Sequence, residues 1–249
     1  MAAASAVSTL LVFECEHDAP LVSIPRPEIQ LVVRFGPSTR SGLDVHAMGV
    51  RRRAHRKLIR RGQRTVTARL RLGVHEAVLG VPASTLAGRV VPLEDLWGDA
   101  ATRRLLGRLA DAETTALAAA VLESAIAERV ATADKPTAHA RLVLDAADRL
   151  TSASVSAVAV DLGVSERHLR RIFHETVGVS PKAFAKLARF HRALRAVGDG
   201  RHVSWAGVAA DAGYYDQAHL IAEFRAIAGA TPKALLGELD AASPARPRA

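Results

Sequence analysis

Val158-Ala159-Val160-Asp161-Leu162-Gly163 and Val208-Ala209-Ala210-Asp211-Ala212-Gly213 stand 50 residues apart, and each leads into a leucine, a phenylalanine and then Gly-x-Ser/Thr-Pro-Lys. Past the glycines the offset becomes 51: His168 lies over His219, Leu169 over Leu220, Phe173 over Phe224, Gly178 over Gly229 and Pro181-Lys182 over Pro232-Lys233. One residue has been inserted in the second copy's turn. Repeat arrays need about three or more copies to bury a continuous core, so two copies point to duplication of a small module. The glycine after a short apolar helix and the polar residue opening the next make that module a helix-turn-helix.

In the first copy, residues 154–162 form a short helix ended by Gly163, and Ser165 caps a second helix over residues 166–177. On a wheel of about 100° per residue, Leu169, Ile172, Phe173 and Thr176 share one side while Arg167, Arg170, Arg171 and His174 share the other. One face packs and the opposite face is basic, which suits a helix in the major groove, where arginine donates bidentately to guanine O6 and N7. A solvated surface face is the competing explanation for one basic helix, and the duplication weighs against it. In the second copy Asp216 caps, Leu220, Phe224 and Ile227 pack, and the matching outward positions are Ala218, Ile221, Ala222 and Arg225. Gln217 suits adenine, Ala218 or Ile221 a thymine methyl, and Arg225 phosphate. The halves are therefore unequal, the first reading more strongly. Between them Ser180-Pro181 opens a helix that Gly198-Asp199-Gly200 stops, a rod of about 25 Å decorated by Lys186, Arg189, Arg192 and Arg195, which serve as phosphate contacts or as solubility charges.

These residues amount to a resemblance. Residues 137–239 resemble the DNA-binding domain of the AraC/XylS family of transcription regulators through Gly163-Val164-Ser165-x3-Leu169-x3-Phe173, Gly178-x-Ser180-Pro181-x2-Phe184-x4-Arg189-x3-Ala193 and Val208-Ala209-x3-Gly213-Tyr214-x-Asp216-x3-Leu220-x3-Phe224-x4-Gly229-x-Thr231-Pro232. The resemblance implies seven helices, two helix-turn-helix units joined by a long helix, and sequence-specific promoter binding. It places base reading on Arg167, Arg170, Arg171, Gln217, Ala218 and Ala222, of which Ala218 and Ala222 depart from the polar residues often found there. The N-terminal half resembles, more loosely, the sheet-plus-helix sensor domain ahead of this module in some such regulators. Residues 65–72, Gly73, residues 79–83 and residues 90–98 carry that likeness, with Arg71-Leu72-Gly73 where many relatives have Arg-Pro-Gly.

The chain of 249 residues, 49% hydrophobic and 24% charged, has a globular composition and length for two domains. Apolar runs at 21–24, 29–35 and 43–50, broken by Pro25, Pro27, Gly36-Pro37 and Gly42, and the alternating stretch 65–72 predict a small sheet or partial barrel. After Gly73 the period turns helical at 75–79, 102–110 and 114–130. The alanine-rich 114–130 helix is expected to bury itself within its own domain rather than dimerise. The expected fold is α+β: an N-terminal sensor or interaction domain over residues 1–135, an all-α double helix-turn-helix domain over 136–239 with its boundary at Pro136, and a frayed tail over 240–249.

A formal charge of +9 favours DNA, RNA or an anionic membrane surface as partner. Residues 51–71 carry ten Arg or Lys and no acid. That run reads as DNA backbone contact, an anionic ligand pocket or, by default, a charged sheet edge that discourages aggregation. Cys15, the single cysteine, excludes an intrachain disulfide and cannot alone make a zinc site, so a reducing cytoplasm is the expected compartment. The first 13 residues lack a signal peptide's basic start, and no stretch is long enough to span a bilayer. His17, His46, His55 and His75 lack the spacing of a cupin metal site. Cys15, the only candidate nucleophile for the alkyl-transfer repair domains to which such modules are also fused, sits between Glu14 and Glu16, poor company for a reactive thiolate.

The expectation is a transcription regulator and not an enzyme, without catalytic residues, metal or cofactor. Its partners are double-stranded promoter DNA, with RNA polymerase and a small-molecule effector of the N-terminal domain as candidates. The alternative is a basic architectural protein that coats DNA with little sequence preference.

Overall fold

The computed structural model describes residues 5–39, 41–133, 138–198 and 204–242. Seven strands come first: β1 (Val7–Glu14), β2 (Ala19–Ser23), β3 (Gln30–Phe35), β4 (Leu43–Met48), β5 (His55–Ile59), β6 (Arg64–Leu70) and, after two short helices, β7 (Val90–Pro92). They form an antiparallel five-stranded sheet in the order β1-β6-β3-β4-β7 and a separate ribbon of β2 with β5. In the central strands alternation decides the faces: Val66, Ala68 and Leu70 of β6 are buried while Thr65, Thr67 and Arg69 between them are half exposed.

Three strands were not expected from the patterning: the three-residue β7, which pairs with β4 at the sheet edge, and the longer β1 and β5. β1 occupies the small apolar N-terminal stretch and pairs with β6 from Val7 opposite Leu70 to Glu14 opposite Arg64. β5 lies inside the basic run, exposed along its first four residues, and is ordered by its ladder to β2, Ala19 opposite Ile59 through Ser23 opposite His55. Neither has the strict apolar alternation of a half-buried strand; the hydrogen-bond partner, not the pattern, sets them.

The short helices α1 (His75–Leu79), α2 (Ala83–Leu86) and α3 (Glu94–Trp97) lead into α4 (Asp99–Ala110) and α5 (Thr115–Thr132). Thr114 caps α5 by accepting the Leu117 N–H. Its stripe of Ala118, Ala119, Leu122, Ala125 and Ile126 is buried, and the helix packs on β1 and β6, so its apolar face is spent inside the sheet region. Small alanines let it lie close to the sheet.

Seven further helices follow: α6 (Ala138–Arg149), α7 (Val155–Asp161), α8 (Glu166–Val177), α9 (Pro181–Gly198), α10 (Trp205–Ala212), α11 (Gln217–Ala228) and α12 (Pro232–Ala241). Pro136, Asp199, Gly200 and the 243–249 part of the tail lie outside the described residues. The sheet region and these helices share one contiguous buried core, from Leu31 and Val33 through Leu122 to Phe190 and Phe224. The backbones meet at Gly178: its φ is +85°, and a Cβ there would stand 2.9 Å from the Ala83 carbonyl oxygen, so only glycine permits both the left-handed cap of α8 and the contact with α2.

Candidate nucleic-acid interface

The duplication seen in the letters recurs in the backbone. After α7 the Val164 N–H donates to the Ala159 carbonyl at 3.0 Å, and after α10 the Tyr214 N–H donates to the Ala209 carbonyl at 2.8 Å. Gly163 (φ +65°) and Gly213 (φ +80°) supply the left-handed turn each time. The Ser165 hydroxyl then accepts the His168 N–H at 3.2 Å, and the Asp216 carboxylate accepts the His219 N–H at 2.7 Å. Val164 thus corresponds to Tyr214 and Ser165 to Asp216, which makes Tyr215 the inserted residue. It is 93% exposed, directly before the second recognition helix. The shift of offset from 50 to 51 was the sequence signal that could have found it.

α8 buries Leu169, Ile172, Phe173 and Val177, with Thr176 half buried at the edge of the stripe. Phe173 meets Phe184 of α9 edge to face at 5.3 Å. The other side exposes Arg167, Arg170, Arg171 and His174 together. Arg170 pairs with Glu166, and Arg171 with Glu175 at 3.1 Å, both one turn apart along the helix. Arg167 forms no ion pair among the described residues. Intrahelical pairs of this exposure are weak, a few tenths of a kcal/mol, so a nucleic acid could take over either arginine at little cost.

α11 buries Leu220, Phe224, Ile227 and Ala228 and exposes Gln217, Ala218, Ala222 and Arg225. Ile221, expected on the outward face, is half buried and packed against the core. The apolar stripe draws it in, which leaves Ala218 as the exposed one of the two. The buried stripe also holds Glu223, 4% exposed. Its carboxylate accepts from Arg189 Nη2 of α9 at 2.9 and 3.1 Å, with His219 Nε2 at 3.6 Å. Arg189 also lies over the Tyr214 ring, 5.1 Å from its centroid. Burial, then the Glu223 charge, raises the Tyr214 hydroxyl above its ordinary pKa. Glu223 was not singled out from sequence, although an acid within an i, i+3, i+4, i+7 stripe demands a partner.

The charges along α9 divide by task. Arg189 fastens α11, Arg192 donates to the Thr151 carbonyl at 2.5 Å, and Lys186 and Arg195 face two clefts against the sheet region. The basic run divides likewise. Arg56 makes a two-point pair with Glu238 of α12 (2.7 and 3.1 Å), Arg60 pairs with Asp18 at 2.8 Å, and Arg64 stacks on Phe35 at 4.8 Å. Beside these, the Ala54 N–H donates to the Ile227 carbonyl at 2.8 Å, and His191 Nε2 of α9 donates to the Pro25 carbonyl at 2.7 Å.

Among the described residues no group of three His, Cys, Asp or Glu is placed to hold a metal ion, and no helix is long and apolar enough to cross a membrane. Cys15 is buried, its thiol toward the His17 carbonyl at 2.7 Å.

Two capped recognition helices with outward faces, joined by one long helix, define a double helix-turn-helix DNA-binding domain. Residues 158–237 match the family model described as a helix-turn-helix domain, the AraC-type one, so this part of the chain is an AraC-type domain and the protein is a DNA-binding transcriptional regulator. No curated protein is detectably similar in sequence. Solved structures similar to the chain include ToxT from Vibrio cholerae O395, 10% identical over 93% of this chain and 97% of that one with a TM-score of 0.47. Another is wild-type ToxT from Vibrio cholerae strain SCE256 with an unsaturated fatty acid bound, 10% identical over 92% of this chain and 94% of that one, TM-score 0.45.

Proposed function

We propose that the protein reads promoter DNA sequence-specifically, with α8 and α11 in successive major-groove faces, and that residues 136–239 do this under control of residues 1–135. The observation that carries the reading is the exposed quartet Arg167, Arg170, Arg171 and His174 on a helix whose opposite face is wholly packed. Arg167, Arg170 and Arg171 are the guanine readers, and His174 contacts the flanking backbone. In the second unit Gln217 reads adenine, Ala218 and Ala222 offer only van der Waals contact, Ile221 contributes at its exposed edge, and Arg225 meets phosphate. Tyr215 adds a hydroxyl and a ring at the point where α11 meets DNA. The caps Ser165 and Asp216 fix the helix ends that enter the groove.

The N-terminal region serves as sensor. Between its sheet and its ribbon lies a cavity of about 490 Å³ with apolar walls that include Val12, Phe13, Val22 and Met48, and with Arg26, Lys57 and Arg69 among its lining. Partial desolvation against the cavity lowers the pKa of all three cations, that of Arg69 to about 10. An apolar effector with an anionic end suits such walls. The protein acts in the cytoplasm, with RNA polymerase as the natural partner of a regulator bound at a promoter.

Binding selection from a random duplex library tests the reading. A two-part motif about one turn apart, sharper in the first part, is expected, and Arg167→Ala should cost about 1–3 kcal/mol on that site and relax one or two base positions. Equal losses on every duplex would establish the architectural alternative instead.

A further inference from the structure

The basic residues 51–53 and 55 do not simply edge a sheet. With Lys186 of α9 they surround a cleft of about 480 Å³ between the sheet region and the double helix-turn-helix domain, floored by Ala183, Leu187 and Ile227. Its lining contains Arg51, Arg52, Arg53, Lys186 and His55 but no Asp or Glu. Neighbours in the same run show that acids are supplied where neutralisation is internal: Arg56 has Glu238, and Arg60 has Asp18. Among the described residues the four cations of the cleft form no ion pair. Arg51 is held partly out of water, which lowers its pKa. Like charges drawn together where two parts of a protein dock are repulsive unless something negative joins them.

We propose that this cleft is a binding site for a phosphate-bearing ligand, which closes the joint between the two regions. Phosphate fits better than a single carboxylate because a phosphomonoester brings up to two charges and three acceptor oxygens, and a duplex backbone a row of singly charged phosphodiesters, to match several guanidinium forks and an ammonium at once. The apolar floor lets a small uncharged body rest beneath the phosphate. The source is either a free phosphorylated small molecule or the backbone of a bound duplex passing the end of α11, and the test separates them. The proposal does not depend on base-specific reading, because a duplex of any sequence carries the same phosphates.

The experiment uses the full chain as wild type, as Arg53→Gln/Lys186→Gln, and as Arg103→Gln/Arg104→Gln, which removes equal charge on α4. Thermal midpoints are measured with increasing pyrophosphate at constant ionic strength, and affinity for a random-sequence duplex is measured against salt. The first double variant, with repulsion relieved, should unfold without ligand no earlier than wild type, which shows that it folds. A saturable rise of several degrees in wild type and the α4 control, absent from Arg53→Gln/Lys186→Gln, establishes a site for free phosphate compounds. No pyrophosphate response, but a salt slope shallower by roughly 2 in that variant alone, assigns the site to the DNA backbone. A pyrophosphate response that survives the substitution, or no difference between the two double variants in either measurement, overturns the proposal.

Discussion

Replacing Arg189 with methionine should cost more than replacing Glu223 with leucine, although both changes break the same ion pair. The Glu223 side chain is 3% exposed and that of Arg189 31%. Without the carboxylate, Arg189 keeps its stacking on Tyr214 and can turn its head to water. Without the guanidinium, the carboxylate stays in the core with only His219 Nε2 at 3.6 Å. Breaking a buried pair by deleting one partner costs about 3–5 kcal/mol, whereas replacing both by apolar residues is often close to neutral. The upper range therefore belongs to Arg189→Met; about 2 kcal/mol is expected for Glu223→Leu because the survivor is one-third wet. At roughly 2–4 °C per kcal/mol for a chain of this size, Arg189→Met should lower the midpoint by on the order of 10 °C. Calorimetry on the two single variants and Arg189→Met/Glu223→Leu reads the cycle. The double variant should unfold above Arg189→Met, with a coupling of more than about 1 kcal/mol. Equal single costs, or a double variant equal to their sum, would refute the assignment of this pair as the fastening between α9 and α11.

Stability should also fall as the solution is acidified from near pH 6.5 toward pH 4. Burial pushes His75 down to about 4, and burial with the nearby Arg26 and Arg195 does the same to His191. Both are neutral in the fold and protonate more readily when unfolded, so their contribution is complete above the unfolded value of about 6.5 and lost as pH falls to about 4, on the order of 3 kcal/mol each; a urea midpoint that is flat across this window would exclude it. Asp216→Ala removes the cap on α11 and should cost about 1 kcal/mol. Hydrogen exchange at the His219 amide should accelerate in that variant while α8 amides stay protected, and unchanged exchange would show the cap to be idle.

The helices from α8 to α11 were legible nearly to the residue because their determinants are local. Ser165 and Asp216 cap, Gly178 and Gly229 terminate, and the 3.6-residue stripe from Leu169 to Val177 has no rival period. The outward arginines follow from the wheel alone. β5 was not legible, since His55-Arg56-Lys57-Leu58 is exposed and becomes a strand only by pairing with β2. β1 pairs with β6, 50 or more residues away in sequence. The Arg189–Glu223 pair and the Arg53–Lys186 cleft need side chains from separate elements to be brought together, and no single window of sequence contains both partners.

The duplication also brings both recognition helices into contact with one sheet region. Each recognition helix offers its capped N-terminal end, at Ser165 and at Asp216, away from the contacts that hold its other end. The C-terminal ends are the ones that meet the sheet region: Gly178 lies against the Ala83 carbonyl, and the Ile227 carbonyl accepts the Ala54 N–H. α2 and the residue-54 segment belong to the same sheet region, and Gly49, whose Cβ would stand 1.8 Å from the Leu86 carbonyl oxygen, joins them with no slack. A body that grips two helices by their C-terminal ends would change their mutual angle if it deformed, with the largest displacement at the ends far from the grip. The cavity and the proposed phosphate cleft share Arg51 and His55 as wall residues, so a ligand in either one touches side chains that also line the other.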